Sequence, residues 1–261
     1  MEIILYLLLG AISGILAGLF GIGGGIVIIP ALFYIFEYLN FSSVLISHLV
    51  LGTSLGVIVF SSLSSTFAHN RNKNVEWGLL KIIVPGILIG ASLGAITAGY
   101  LESDTLKNLV SLFLIIAALQ MLFQFPPPEA APNTNKVGPI FAGSFVGWLS
   151  GIFGIGGGIF SVPYFFHRGL SMQKSIGTSA ACGLPIALAG SITYMIVGLE
   201  KLNLPEFSIG YLYIPAMFTI GISSMLTAQL GAQIASNLKQ KNLRKYFSIL
   251  IILMALNLLF R

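Results

Sequence analysis

Two glycine-rich segments decide how this chain is interpreted. The sequence GLFGIGGGI at residues 18–26 recurs as GIFGIGGGI at residues 151–159. A proline follows each copy at the same spacing, Pro30 in the first and Pro163 in the second. A motif of this length, repeated with the same downstream proline, indicates that the chain is built from two related halves.

Further features support the repeat and set its limits. The tripeptide GTS at residues 52–54 recurs at residues 177–179. Three consecutive prolines, at residues 126–128, lie between the halves and are typical of a stiff, extended spacer. The sequence therefore predicts a first repeat at residues 1–125, a linker at 126–138 and a second repeat at 139–261.

The composition indicates that lipid is the solvent of this chain. Of its 261 residues, 56% are hydrophobic and 8% are charged, and the mean hydropathy is +0.95. Soluble domains carry about 25% charged residues, so this chain has too few to cover a surface that faces water. The formal net charge of +5 is typical of basic cytoplasmic loops and predicts no nucleic-acid partner.

Eight apolar blocks predict an all-α integral membrane protein. The blocks are residues 3–36, 44–67, 77–99 and 106–125 in the first half, then 137–166, 174–197, 209–236 and 243–260 in the second. The first block of each half is too long for one membrane span and contains three consecutive glycines. Because glycines destabilise a helix interior, we expect two helical arms there, meeting at a glycine tip.

The distribution of Lys and Arg predicts how the halves lie in the membrane. Successive loops are poor, rich and poor in basic residues in the first half, and rich, poor and rich in the second. Under the positive-inside rule the halves have opposite orientations, so each first block begins and ends on one side as a re-entrant hairpin. The prediction is two inverted repeats, each with one hairpin and three transmembrane helices, and both termini outside the cytoplasm. Broken helices in inverted repeats are typical of secondary transporters.

The glycine tips are the strongest candidates for a ligand site. If they enter from opposite faces, they meet near the midplane, and the helix after each tip presents N–H groups and a positive dipole end, which suits an anion. The predicted binding residues are the tip glycines and the repeated hydroxyls, namely Gly23, Gly24, Gly25, Thr53, Ser54, Gly156, Gly157, Gly158, Thr178 and Ser179. The alternatives are that the glycines only permit close packing and that the hydroxyls bond within the helices.

The residue patterns typical of proton or sodium pumping, of catalysis and of metal binding are not recognisable in this sequence. All eight acidic residues fall near block ends or in loops, so the buried carboxylates of proton and sodium pumps are not expected. The sequence contains no recognisable catalytic set or metal-ligand cluster, and the single cysteine, Cys182, excludes an internal disulfide. We therefore expect no enzyme, metal or cofactor. Among the three histidines, His48 is the best candidate for a proton carrier, because it lies about one helical turn before Thr53.

The doubled Gly-x-Gly-Gly-Gly with its downstream proline, and the Gly-Thr-Ser of each half, resemble the TauE/SafE family of sulfite and organosulfonate exporters. The resemblance extends over nearly the whole chain. It implies a multi-pass protein of the bacterial inner membrane that moves sulfite, sulfoacetate or related sulfur compounds. Composition and spacing by themselves indicate only an anion path.

The leading hypothesis is an alternating-access exporter of small sulfur oxyanions, in which both glycine tips form one midplane site. An anion channel, a transporter of another small organic anion and a membrane scaffold without flux are the alternatives. Saturable flux with counterflow distinguishes a carrier from a channel. The expected partners are a small anionic substrate and the lipid bilayer, and the sequence leaves a homo-oligomer open.

Overall fold

The computed structural model describes residues 2–20, 24–123, 137–237 and 241–260, and these are almost entirely helical. The helices are α1 (Glu2–Phe20), α2 (Gly25–Tyr38), α3 (Ser43–Arg71), α4 (Trp77–Gly99), α5 (Ser103–Phe123), α6 (Val137–Phe153), α7 (Gly158–His167), α8 (Met172–Gly198), α9 (Ile214–Asn237) and α10 (Lys241–Phe260). A short antiparallel pair of strands, β1 (Ser208–Ile209) and β2 (Leu212–Tyr213), precedes α9.

The helices follow the predicted apolar blocks, and the prediction of an all-helical membrane fold is confirmed. The first block of each half is divided in two, as predicted: α1 ends at Phe20 and α2 begins at Gly25, while α6 ends at Phe153 and α7 begins at Gly158. Residues 21–23 and most of the predicted linker lie outside the described residues.

Six helices of the described ranges, α1, α3, α4, α5, α8 and α9, are long and apolar enough to cross a membrane. At a rise of 1.5 Å per residue, the 19 residues of α1 extend about 28 Å, whereas the 10 residues of α7 extend about 15 Å. The arms of the broken blocks therefore differ in length. The first arm, α1, is long enough to cross the hydrocarbon core by itself. The re-entrant hairpin predicted from the sequence contains no such spanning arm.

The main pairings of the helices recur when the two halves are exchanged. α1 packs along α9 as α6 packs along α4, and α9 packs on α3 as α4 packs on α8. α2 lies on α3 as α7 lies on α8. Equivalent helices of the two halves also pack on each other, α3 on α8 and α5 on α10. Each half therefore completes the core of the other.

Glycines spaced four residues apart bring the paired helices into backbone contact. The glycines at 10, 14 and 18 on α1 face α9, and a Cβ atom on any of them would collide with the backbone of α9. Gly86, Gly90 and Gly94 on α4 face α6 in the same way. Small residues permit this approach in membranes, where packing rather than water exclusion holds helices together.

α3 is the central helix of the fold. Its 29 residues pack on α2, α8 and α9, and most of its side chains are buried. Large apolar side chains of the surrounding helices face outward instead, as Ile89, Phe141 and Leu226 do, each with at least 60% exposure. This distribution fits a buried central helix surrounded by helices that face lipid.

Contacts near the ends of α3 define the two ends of the molecule. Beyond its C-terminal end, the Lys174 ammonium lies 3.1 Å from a Glu76 carboxylate oxygen, so the start of α4 lies beside the start of α8. At its N-terminal end, Ser43 lines one cavity together with Glu102 and Lys201. The loop that follows α8 therefore lies beside the loop that follows α4.

The β1–β2 pair is a difference from the sequence-based expectation. The apolar run from residue 209 predicts a helical block, whereas α9 begins at Ile214. Gly210 adopts φ 56°, and a Cβ atom there would overlap the Met195 carbonyl oxygen. The chain therefore turns at Gly210, a position that only glycine fits, and two short strands form before the helix starts.

Candidate functional site

A glycine in the left-handed conformation precedes the helix that follows each glycine segment. Gly24 has φ 76° and ψ −11°, and Gly157 has φ 75° and ψ −5°. Neither position has a side-chain cap. Because this conformation costs other residues about 1–2 kcal/mol, both positions favour glycine for a backbone reason.

The helical hydrogen bonds of α2 and α7 begin at these glycines. The Gly24 carbonyl accepts first from the Val27 N–H, at 3.1 Å, and the Gly157 carbonyl accepts first from the Phe160 N–H, at 3.0 Å. The N–H groups of the two residues after each glycine therefore precede the intrahelical ladder. Helix starts of this kind carry a positive partial charge, which suits an anion.

The two glycine segments are in contact. A Cβ atom built on Gly25 would lie 3.1 Å from the Gly154 carbonyl oxygen and 3.2 Å from Ile155 Cα. The same position is 3.1 Å from Ile58 Cδ1, and Leu51 packs against Gly154. Because Ile58 and Leu51 belong to the central part of α3, the segments meet beside the middle of the central helix.

Serine hydroxyls hold the second glycine segment. Ser54 Oγ donates to the Gly154 carbonyl oxygen at 2.8 Å, which ties α3 of the first half to a segment of the second. Ser161 Oγ donates to the Gly157 carbonyl oxygen at 3.0 Å and lies 2.8 Å from Ser179 Oγ on α8. Of the two predicted serines, Ser54 therefore touches the segment directly and Ser179 does so through Ser161.

The two predicted threonines contact the backbone at the starts of other helices. Thr53 Oγ1 accepts from the Tyr213 N–H, just before α9, and Thr178 Oγ1 accepts from the Glu76 N–H, just before α4. Both distances are 3.0 Å. Adjacent residues of a helix point about 100° apart, so each threonine faces a different neighbour from the serine that follows it.

Three of the predicted residues remain, Gly23, Gly156 and Gly158. Gly23 lies outside the described residues, and Gly158 is the first residue of α7. The Gly156 carbonyl oxygen lies 3.5 Å from a Cβ atom built on Gly183 of α8.

Sequence reasoning misses Ser161, because it relies on duplicated positions and Ser161 has an apolar counterpart in the first half. A serine among the apolar residues of the first turn of α7 is the signal that could have found it.

A cavity of about 440 Å³ lies at the N-terminal end of α3. Its lining combines the carboxylates of Glu102 and Asp104 with the ammonium of Lys201. His48 also lines it and stacks on the Tyr211 ring with 4.7 Å between centroids. Burial raises the pKa of the Tyr211 phenol, which therefore stays protonated. We call this polar cavity the vestibule. His48, which lines it, lies about 9 Å along α3 from Ser54, the serine that hydrogen-bonds to the second glycine segment.

We expect Ser54→Ala to lower anion flux about tenfold, equivalent to ~1.4 kcal/mol, with little loss of folded protein. The substitution removes the hydrogen bond that positions the Gly154 carbonyl, and such a bond contributes about 1 kcal/mol net. Ser111→Ala is the matched control, because its equally buried hydroxyl bonds back to Lys107 within α5 at 2.8 Å. Equal flux from both variants, measured in proteoliposomes, would contradict this role of Ser54.

Comparisons with known proteins show the family of this chain. The protein family described as "Sulfite exporter TauE/SafE" matches residues 6–258. A "Probable membrane transporter protein" of Haemophilus influenzae is 32% identical over 98% of this chain and 97% of its own length. A relative of similar description from Methanocaldococcus jannaschii is 30% identical over 98% of this chain and 94% of its own length. No solved structure matches the chain. The chain therefore belongs to the TauE/SafE family and is a multi-pass membrane transporter, not an enzyme.

Proposed function

We propose that this transporter exports small sulfur oxyanions, such as sulfite, sulfoacetate and other organosulfonates, by alternating access. The substrate binds at one midplane site between the two glycine segments. The observation that carries the proposal is the contact of Gly25 with Gly154 and Ile155, which joins the halves at those segments. The family description, a sulfite exporter, supports the substrate class.

The groups around this contact favour an oxyanion over a cation. α2 and α7 both start here, so backbone N–H groups and the positive ends of two helix dipoles converge on one region. Carboxylates of Glu76, Glu102 and Asp104 lie at the two ends of the molecule instead. Neutral donors bind an anion with moderate affinity, which suits its release on the other side.

The hydroxyls of α3 and α8 complete the proposed site. The oxygens of Thr53 and Thr178 each accept one N–H, so the proton of each hydroxyl is the group that donates to the substrate. Ser54 and Ser179 position the second glycine segment. The proposed backbone contacts come from the glycines of both segments, namely Gly23, Gly24, Gly25, Gly156, Gly157 and Gly158.

An inverted arrangement of the halves, with both termini outside the cytoplasm, is part of the proposal. The ion pair of Glu76 with Lys174 supports it, because it joins the basic loop of the first half to the first basic loop of the second. The positive-inside rule makes the end that carries Arg71, Lys73 and Arg168 cytoplasmic. The vestibule then faces the outside of the bacterial inner membrane.

The contact between the glycine segments favours a carrier over a channel. With Gly25 against Gly154, the segments must separate before an anion can pass, as alternating access requires. An anion channel lined by the same segments, or a carrier of another small organic anion, is the alternative.

Sulfite efflux from proteoliposomes tests the proposal. We expect saturable efflux and counterflow of labelled sulfite, with inhibition by an organosulfonate and none by chloride. Protein-free liposomes are the control for passive leakage. Large unitary currents without saturation would indicate a channel, and absence of flux from folded protein would contradict the substrate class.

A further inference from the structure

The face of α3 that packs on the glycine segments changes character along the helix. Leu51 and Ser54 contact Gly154, and Ile58 lies beside Gly25, so this face is mainly apolar where the segments meet and its hydroxyl there is already bonded. Ser62 lies one turn further along and begins a polar continuation of the same face. The change coincides with the proposed substrate site.

Four side chains form this polar continuation. Ser62, Ser65, Thr66 and His69 are related by spacings of three, four and seven residues, which place them on one side of the helix. These four residues are called the α3 polar stripe below. Ser62 and Ser65 are each 2% exposed, and His69 is 3% exposed.

Three hydroxyls and one ring nitrogen of the stripe have no partner in the part of the protein that the structure describes. Among the described residues, seven buried side-chain polar atoms lack a hydrogen-bond partner, and five of the seven belong to α3. Four of those five are the three hydroxyls of the stripe and His69 Nδ1. Buried polar groups are normally paired, because an unpaired one is costly. Their concentration in one stripe is therefore typical of a surface that meets a polar ligand.

The stripe extends from the level of Gly156 to that of Gly18 on α1. Ser62 Oγ lies 2.5 Å from a Cβ atom built on Gly183, and that Cβ would lie 3.5 Å from the Gly156 carbonyl oxygen. At the other end, His69 Nε2 lies 3.2 Å from the Gly18 carbonyl oxygen of α1. Nε2 must carry a proton to donate to this carbonyl, so in the neutral ring Nδ1 is an acceptor.

We propose that the α3 polar stripe is a transit site for a singly protonated oxyanion, between the glycine segments and the Arg71 end of α3. The inference rests on the proposed function and adds a second position for the anion. The three hydroxyls donate to the oxygens of the anion, and His69 Nδ1 accepts its remaining proton. All four groups are uncharged in this arrangement, so they hold the anion without trapping it.

The second half lacks this feature. Counted from the repeated Gly-Thr-Ser, the equivalent positions on α8 are Ala187, Gly190, Ser191 and Tyr194. The serine hydroxyl there bonds back within α8 at 3.3 Å, and the Tyr194 hydroxyl donates to the Gly151 carbonyl at 3.1 Å. On α3, unpartnered hydroxyls therefore follow the glycine segments toward the end that the positive-inside rule makes cytoplasmic. An exporter loads its substrate from that side.

The double variant Ser62→Ala/Ser65→Ala separates a transit role from a structural one. We expect sulfite efflux to fall at least tenfold, while the melting temperature stays the same or rises, because the lost hydroxyls have no protein partner. Ser61→Ala/Ser64→Ala is the matched control, since those hydroxyls bond to backbone carbonyls at 3.3 and 2.6 Å. It should lower the melting temperature and keep efflux per folded molecule within twofold. Equal efflux from the two double variants would overturn the proposal.

Thiol labelling tests the stripe without assuming the substrate. The background is Cys182→Ala, which removes the single native cysteine. We expect Ser65→Cys to react with anionic 2-sulfonatoethyl methanethiosulfonate at least tenfold faster than Ser64→Cys, and faster than with the cationic trimethylammonium analogue. Equally slow labelling at both positions would show that the stripe is not an anion path. Fast labelling with no sulfite flux from the wild type would leave the stripe standing and refute the proposed substrate.

Discussion

Replacing Gly157 by leucine is expected to lower sulfite flux at least a hundredfold, a change of ~2.7 kcal/mol. The side chain would start from a residue with φ 75°, and its Cβ would lie 2.5 Å from Ile186 Cδ1 and 3.1 Å from Ser150 Oγ. Both neighbours are side-chain ends that can shift, so we expect a folded protein with a displaced glycine segment. Flux and membrane yield are measured on the same preparation.

Gly169→Leu is the matched control for this variant. Gly169 also has a positive φ, 87°, but a Cβ atom there meets nothing within 4 Å. This variant tests the cost of placing leucine at a positive φ without obstructing a glycine segment. Its flux should stay within twofold of the wild type. Flux at the wild-type level in Gly157→Leu would remove the second glycine segment from the transport path.

Gly24→Leu should abolish flux as well, with a lower yield of folded protein. Its Cβ atom would lie 2.8 Å from the Ser13 carbonyl oxygen, which belongs to the backbone of α1 and cannot rotate away. Gly24→Leu and Gly157→Leu are therefore expected to differ in the yield of folded protein. Both are expected to lose flux, because the two segments serve one site.

The second large effect is expected on folding. Gly90→Leu should lower the melting temperature of the purified protein by about 10 °C, or prevent its accumulation in the membrane. A Cβ atom on Gly90 would overlap the Ser144 carbonyl oxygen of α6 and lie 2.8 Å from its carbonyl carbon. Because these are backbone atoms, α4 and α6 must separate, and overpacking of this kind costs about 3 kcal/mol or more.

Gly78→Leu on the same helix is the control for Gly90→Leu. A Cβ atom on Gly78 meets only the Glu76 carboxylate oxygen, at the ordinary distance of 3.7 Å. Its melting temperature should remain within about 2 °C of the wild type, since surface substitutions cost little. A melting temperature of Gly90→Leu equal to that of Gly78→Leu would show that backbone contact between α4 and α6 does not hold the fold together.

The order of the helices is predictable from the sequence because its signals are local. Apolar length indicates the spans, and three consecutive glycines indicate an interruption, so the breaks after Phe20 and Phe153 follow from composition. The turn at Gly210 is not predictable in this way. The run around it is apolar on both sides, and the contact with Met195 that excludes a side chain is tertiary.

The partner of each helix depends on contacts that local sequence does not contain. Gly86, Gly90 and Gly94 show by their spacing that some helix approaches α4 closely. The same spacing does not show that the approaching helix is α6 of the other half. The unequal arms of the broken blocks also follow from these tertiary pairings, because α1 packs along α9 over most of its length.

Duplication identifies the symmetric part of the candidate site and misses the asymmetric part. The repeated motifs lead to Ser54 and Gly25, which both contact Gly154 in the structure. Ser161 and the α3 polar stripe have no polar equivalents, or none without partners, in the other half. A repeat-based search therefore overlooks the residues that would give the path a direction.

Equilibrium binding of labelled sulfite to the purified protein tests most directly whether the two glycine segments form one site. We predict one anion per chain, and the loss of that binding in both Gly24→Leu and Gly157→Leu, with Gly169→Leu binding as the wild type does. Two independent sites, or a variant of one segment that keeps half of the binding, would contradict the shared site.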